Sequence, residues 1–274
     1  MKCDGWMYYN HAAVPTTPPH ELPNTDLIKD GNIWNIGGIP LLARWTTDFD
    51  CGYETNWWYV IKDTPFDIAS LKSKRRYEIN KGNKFFEIRR IDSEQFVEEL
   101  FCIRTRNMET YPEKYRQVFD ADSWRQEIRK FSQSYSVYGA FNRESGLLCG
   151  YANVMMNGKC ANLVEVKVLP ECERLAIHAA IVYGVLQDLA EFLTDGYVCD
   201  GARNINHETA YQDYLEKYFG FRKAYCKLNI AYNPKIGWVV RLLYPFRNLL
   251  MKFDGVKPVH LINSVLKMEE YATH

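Results

Sequence analysis

The chain has 274 residues, of which 47% are hydrophobic, 25% charged and 15% aromatic, and its 34 basic and 34 acidic side chains cancel to a net charge of zero. This composition excludes a disordered, collagen-like or coiled-coil chain and supports one large domain or two small ones. Neutrality excludes wholesale coating of nucleic acid but leaves room for a local basic patch.

The opening Met1-Lys2-Cys3-Asp4-Gly5-Trp6 has no apolar stretch and no small-residue cleavage site, so no secretory signal is expected. None of the eight cysteines forms a CxxC pair, which fits reduced thiols in a cytoplasmic protein. The six histidines show neither HExxH spacing nor a His/Cys cluster, so no metal is expected.

In chain order, aromatic and β-branched runs at 6–10, 33–36, 41–46 and 57–61 predict strands of a small N-terminal sheet, with the Pro/Thr-rich stretch 12–25 as loop. Asp67 as N-cap and Gly82 as C-terminal stop predict a helix over 68–81. A strand over 85–91 follows, then helices from Ser93 and over 121–131. Strands over 135–141, 147–156 and 160–169 are joined at 142–146 and at Asn157-Gly158-Lys159, which read as hairpin turns. A helix over 174–193 is apolar almost all round and therefore buried, with His178 as a core histidine inside it. The order closes with a strand at 197–202, a helix at 207–218 and a strand at 224–232. No window reaches the roughly 18 apolar residues of a spanning helix. Residues 236–251 are apolar but carry Arg241, Pro245 and Arg247. Their basic residues do not share one helical face, so packing on the chain's own domain is the plainer reading and a membrane surface the other.

Between 72 and 90 there are eight Lys/Arg (72, 74, 75, 76, 81, 84, 89, 90) and two Glu (78, 87), a local excess of +6 that the neutral total hides. Such a cluster draws phosphate-bearing ligands, or is a solvated face.

The order strand, helix, helix, three antiparallel strands, helix, strand, helix, strand over 85–232 is an α/β (α+β) sandwich on a mixed sheet. It resembles the GNAT acyltransferase fold. The phrase Tyr214-Leu215-Glu216-Lys217-Tyr218-Phe219-Gly220-Phe221 is similar to the family's helix end, and the hairpin from Ala140 to Ala152 to its second and third strands. The basic phrase from Leu71 to Gly82 is similar to the FemAB-like branch, in which a truncated first module precedes a complete GNAT module. The resemblance implies a mostly antiparallel GNAT-like sheet flanked by helices, with a partial N-terminal β-rich module at 1–84, an acyltransferase domain at 85–233 and a helical tail at 234–274. It implies an acyl- or aminoacyltransferase whose donor is acyl-CoA or charged tRNA and whose acceptor is an amine or hydroxyl, on a glycan or a lipid-linked precursor. The sequence departs from the family at Leu169-Pro170-Glu171-Cys172-Glu173-Arg174-Leu175, where the glycines that cradle the pyrophosphate of coenzyme A are missing and two carboxylates stand instead. FemAB-like enzymes also lack that phrase and use charged tRNA.

Acyl transfer to an amine needs a base, fixed dipoles for the oxyanion and an acid for the leaving group. Glu165 is the candidate base, or half of an exposed pair with Lys167. Tyr218 is the candidate acid, or a core tyrosine. The resemblance places free backbone amides for the oxyanion around Val166–Leu169, which makes Val166, Val168 and Leu169 donor-binding candidates. Arg174, whose charge offsets the two carboxylates, and Asn206, which follows the strand at 197–202 and is also a good N-cap, are the others. Arg75, Arg76, Lys81 and Asn204 are the candidates for substrate contact. Two further readings stay open: a non-catalytic module of the same fold, and a peripheral membrane protein presenting the basic patch to the inner face of the membrane.

Overall fold

The computed structural model describes residues 2–3, 5–111, 113, 116, 120–205 and 210–272. They form two compact units, one from the described residues of 1–60, 202–210 and 223–274, the other from 61–201 and 211–222. The mixed, mostly antiparallel α/β architecture with a helical C-terminal tail is present as the sequence implied.

In the first unit, strands β1 (Lys2–Cys3), β2 (Trp6–Tyr9), β3 (Ala12–Pro15) and β4 (Leu42–Thr47) lie side by side, followed by the late strand β11 (Arg222–Tyr232) and then β5 (Trp57–Lys62), which crosses the unit boundary. Two sequence expectations fail here. Residues 12–15 are a strand, not loop: β3 pairs antiparallel with β2 and parallel with β4, and its proline sits at the strand end, where a missing N–H costs no ladder bond. Residues 33–36 are not a strand. After the short helix α1 (Asp26–Lys29), Asn32–Asn35 is a 3-10 turn started by left-handed Gly31, and its Ile33 is buried with Trp6, Ala13, Ile36 and Ala43. The tail forms helices α8 (Pro234–Leu243), α9 (Arg247–Leu250) and α10 (Lys257–Ala272). Val240, Val265 and Leu266 pack there on Ala12 and Leu42.

In the second unit the strands run in the order β10 (Tyr197–Ala202), β9 (Cys160–Val168), β8 (Leu148–Asn157), β7 (Ser136–Asn142) and β6 (Phe86–Ile91). The β6–β7, β7–β8 and β8–β9 pairs are antiparallel, and β9–β10 is parallel. Helices α3 (Val97–Glu109), α4 (Ala121–Arg129) and α5 (Phe131–Ser134) contribute Val97, Leu100, Ile103, Ile128 and Phe131 to a core with Val137, Phe141, Leu148 and Tyr151. Helix α6 (Ile177–Asp188) buries residues all round, as its unbroken apolar pattern requires. Helix α7 (Tyr211–Phe219) ends at Gly220 in the left-handed conformation.

Asp67 does cap, accepting from the Ala69 amide at 2.8 Å, but it caps a 3-10 turn over Ile68–Ser70. The basic helix α2 (Ser73–Phe85) starts later and runs through Gly82. Gly82 is therefore not a stop. A Cβ there would lie 2.5 Å from the Ala176 carbonyl oxygen and 3.0 Å from the Ala180 amide, so the glycine is required for α2 to touch the first turn of α6. Gly82→Ala is expected to lower stability by about 1–3 kcal/mol through forced separation of the helices, read as a fall in the denaturation midpoint.

Candidate functional site

The site is built where β9 and β10 part. Their parallel pairing covers only Cys160–Asn162 against Tyr197–Cys199. Beyond it β9 continues against β8 alone, with a bulge at Val164: Asn153 pairs with Glu165, whereas Val154 pairs with Leu163. The extra residue leaves Val164 exposed and resets which side chains face α3. The Leu169 amide is committed to the Cys149 carbonyl at 2.8 Å. Alternation along the strand therefore turns the Val166 and Val168 amides away from β8, toward the fork. The Val168 carbonyl already accepts from Asn107 Nδ2 of α3 at 3.3 Å.

Glu165 is held by two donors. The Tyr151 hydroxyl reaches its Oε1 at 3.2 Å and Asn153 Nδ2 reaches the same oxygen at 3.1 Å. Tyr151 and Asn153 are both buried, so this carboxylate is fixed from beneath and is not the exposed half of a Glu165–Lys167 pair. Lys167 instead donates to the Tyr111 hydroxyl at 3.2 Å. Arg104 of α3 completes the group. Its guanidinium lies 4.1 Å over the Trp124 ring and 3.1 Å from the Glu127 carboxylate. Burial works against the Arg104 charge, but Glu165 and Glu127 outweigh it and hold its pKa above the usual value. Burial, then the Glu165 charge, pushes the Tyr151 hydroxyl well above the ordinary tyrosine range. The Oδ1 atoms of Asn107 and Asn153 are buried and have no hydrogen-bond partner among the described residues. The Asn153 side chain is the one that holds Glu165, whereas Asn107 is tied to the Val168 carbonyl.

On α6 and α7 stands a second polar group that the sequence reading missed. Asp200, at the end of β10, is pushed up to about 7 by burial, against an opposing hydrogen bond from Gln212. Burial, then Asp200, raises the Tyr211 hydroxyl well above its usual range. The Tyr211 ring is 6.3 Å from that of His178, and burial holds His178 below its usual pKa and therefore neutral. The Tyr211 hydroxyl and His178 Nδ1 are both buried without a partner among the described residues. Tyr218 is one end of a ladder in which its ring lies 5.0 Å from Tyr214, whose ring in turn lies 6.0 Å from Tyr211. It is thus Tyr211, not Tyr218, that stands beside Asp200. The signal available in the sequence was a lone carboxylate closing the apolar run Tyr197-Val198-Cys199.

The other candidates are distributed as follows. Val168 is fully buried and Leu169 packs on the α3 core. Arg174 is exposed in the 3-10 turn Pro170–Leu175, which leads into α6 through Ala176. Ala176 is itself left-handed, at φ 60°, a conformation glycine would adopt without strain. Arg76 folds back on its own helix start, 3.3 Å from the Ala69 carbonyl. Arg75 and Lys81 have no carboxylate partner among the described residues. Asn204 is exposed in the first unit, and Asn206 lies outside the described residues. Among the described residues no group of three or more His, Cys, Asp or Glu side chains is placed to hold a metal ion.

By sequence, no family model and no curated protein matches the chain. By structure, it is similar to the C-terminal domain of a protein from Agrobacterium fabrum assigned as a lysylphosphatidylglycerol synthetase, with a TM-score of 0.53, 11% identity and coverage of 86% of this chain and 82% of the other. It is similar to L-PGS from Bacillus licheniformis at a TM-score of 0.50, with 14% identity over 87% of this chain and 83% of that one. A conserved protein of unknown function from Bacteroides thetaiotaomicron matches at a TM-score of 0.51, with 12% identity over 84% and 83%. The chain shares its fold with these proteins.

Proposed function

We propose that this chain is a transferase that moves an aminoacyl or acyl group from a carrier to an amine or hydroxyl. The observation that carries this reading is Glu165, a carboxylate fixed by Tyr151 and Asn153 next to two strand amides that face an open fork. In the reaction, Glu165 takes the proton of the attacking amine or hydroxyl, directly or through a water, as its lone pair forms the bond to the acyl carbon. The Val166 and Val168 amides face the oxygen that gains charge. The ester or thioester bond to the carrier then breaks, and its leaving atom takes a proton from α7. Tyr218 and Tyr211, both on α7, are the candidates for that step, Tyr211 being the one that feels the Asp200 charge.

Three features favour charged tRNA over acyl-CoA as donor. Glu171 and Glu173 precede α6 where a pyrophosphate would need amides and glycines. Helix α2 packs against the first turn of α6. That same helix carries Arg75, Arg76 and Lys81, cations suited to a polyphosphate chain. The proteins named for lysylphosphatidylglycerol synthesis make a phospholipid head group the first acceptor to try. We place the reaction in the cytoplasm, at the inner face of the membrane.

The test supplies bulk tRNA charged with labelled amino acids, or labelled acetyl-CoA, together with phosphatidylglycerol vesicles or simple amines. Label passing from charged tRNA to lipid or amine is the expected result. Transfer from acetyl-CoA alone would overturn the choice of donor, and no transfer from either would leave a non-catalytic module. Arg75→Ala with Arg76→Ala is expected to weaken tRNA binding about tenfold at low salt and less at high salt, measured by filter binding across a salt series.

A further inference from the structure

Residues 234–253 form an almost unbroken run of helical turns, α8, a 3-10 turn, α9 and a second 3-10 turn. The run has two apolar faces. One faces inward: Ile236, Val240 and Leu243, spaced four and three apart, pack on Ala12, Leu42, Val265 and Leu266. The other faces outward. Trp238, Leu242, Phe246, Leu249 and Phe253 follow one another at four, four, three and four residues, and all are exposed, Trp238 by 70%. Scattered exposed apolar residues need no explanation, but a helical stripe of five, with a tryptophan at its head, does. Among the described residues no helix is long and apolar enough to cross a membrane, and a short helical segment with one exposed apolar stripe suits a surface it can lie along.

Charge identifies the occupant. Residues 234–256 hold four basic side chains and one acidic one. The acid, Asp254, is taken up inside the tail by His260 at 2.9 Å and Asn263 at 2.8 Å. Lys235, Arg241 and Lys252 are exposed and have no carboxylate partner among the described residues. On the α8 wheel Lys235 and Arg241 lie on either side of the Trp238–Leu242 line, as snorkelling cations flank an apolar stripe at a lipid surface. A second copy of the chain is a poor occupant: a two-fold contact would set this basic face against itself. We propose that the outer face of residues 234–253 is a docking surface for an anionic lipid bilayer, the stripe entering the headgroup region and the cations meeting lipid phosphates. This does not rest on the transferase reading.

The full chain is sedimented with vesicles of phosphatidylcholine alone and with vesicles that also contain phosphatidylglycerol. Binding to the anionic vesicles is expected to exceed binding to the neutral ones about tenfold and to fall with added salt. Trp238→Ser with Phe246→Ser is expected to reduce anionic-vesicle binding about tenfold, whereas Ile39→Ser, equally exposed but outside the stripe, leaves it unchanged. Circular dichroism of each variant confirms that the fold is retained. Absence of vesicle binding, binding indifferent to lipid charge, or binding that survives the double substitution would overturn the proposal. So would a concentration-dependent dimer that the same substitutions dissolve and that does not bind vesicles.

Discussion

Glu165→Gln is expected to lower the transfer rate by about 100-fold or more while leaving affinity for the donor within a factor of about two, since general-base catalysis contributes that much and the donor is held elsewhere. The substitution keeps the side-chain shape. It keeps an oxygen that can accept from the Tyr151 hydroxyl and Asn153 Nδ2, which now hold the carboxylate at 3.2 and 3.1 Å. What it removes is the lone pair that takes the proton of the nucleophile. A structural role would show differently. If Glu165 only balanced the Arg104 guanidinium, the variant would lose stability and Tyr135, Tyr151 and Arg104 would relax together, with turnover falling only as far as the folded fraction falls. Measuring single-turnover transfer and the denaturation midpoint on the same preparation separates the two, and an unchanged rate removes Glu165 from the mechanism.

The parts of this molecule that are legible in the sequence are those that local chemistry decides. The Asn157-Gly158 turn specifies its hairpin whatever surrounds it, and β8 and β9 pair antiparallel across it with Asn157 opposite Cys160. Glu165 stands out because a carboxylate in an apolar strand is conspicuous. The parts that are not legible are set by tertiary contact. Gly82 reads as a stop because glycine usually ends helices, yet here it is needed for the backbone of α6 to come close, which no periodicity within α2 encodes. Residues 12–15 read as loop because Ala, Val and Pro give no alternating pattern, but β2 and β4 on either side supply the ladder. The faces of 234–253 are hidden for a related reason: two stripes on one helix erase the contrast that marks either one. At the fork, the bulge at Val164 moves Glu165 from the alternation the strand would otherwise keep, so its buried partners could not be read from spacing.

Asp200→Asn is expected to stabilise the protein at pH 8 by about 2–4 kcal/mol and to leave it nearly unchanged at pH 4. The sign follows from the proton count. Burial raises the Asp200 carboxyl from its ordinary 3.8 to about 7, so between those values the native state keeps a proton that the unfolded chain has released. Stability contributed by the protonated form is therefore present below about pH 4 and is lost as pH rises through about 7, each pH unit between the two costing about 1.4 kcal/mol. Asparagine is neutral throughout and can still accept from Gln212, so the variant's stability loses this slope. Urea unfolding at pH 4, 6 and 8 measures it directly, and parallel curves for the two proteins would show that Asp200 is ionised at no cost. The same residue links stability to chemistry. A carboxyl that titrates near neutrality beside the Tyr211 hydroxyl sets the charge felt by that candidate leaving-group acid, so the transfer rate should change slope near pH 7 in the parent and not in Asp200→Asn. A variant that gains stability and loses that inflection is what a strained functional site predicts, because the buried carboxylate is tolerated for the reaction and not for the fold.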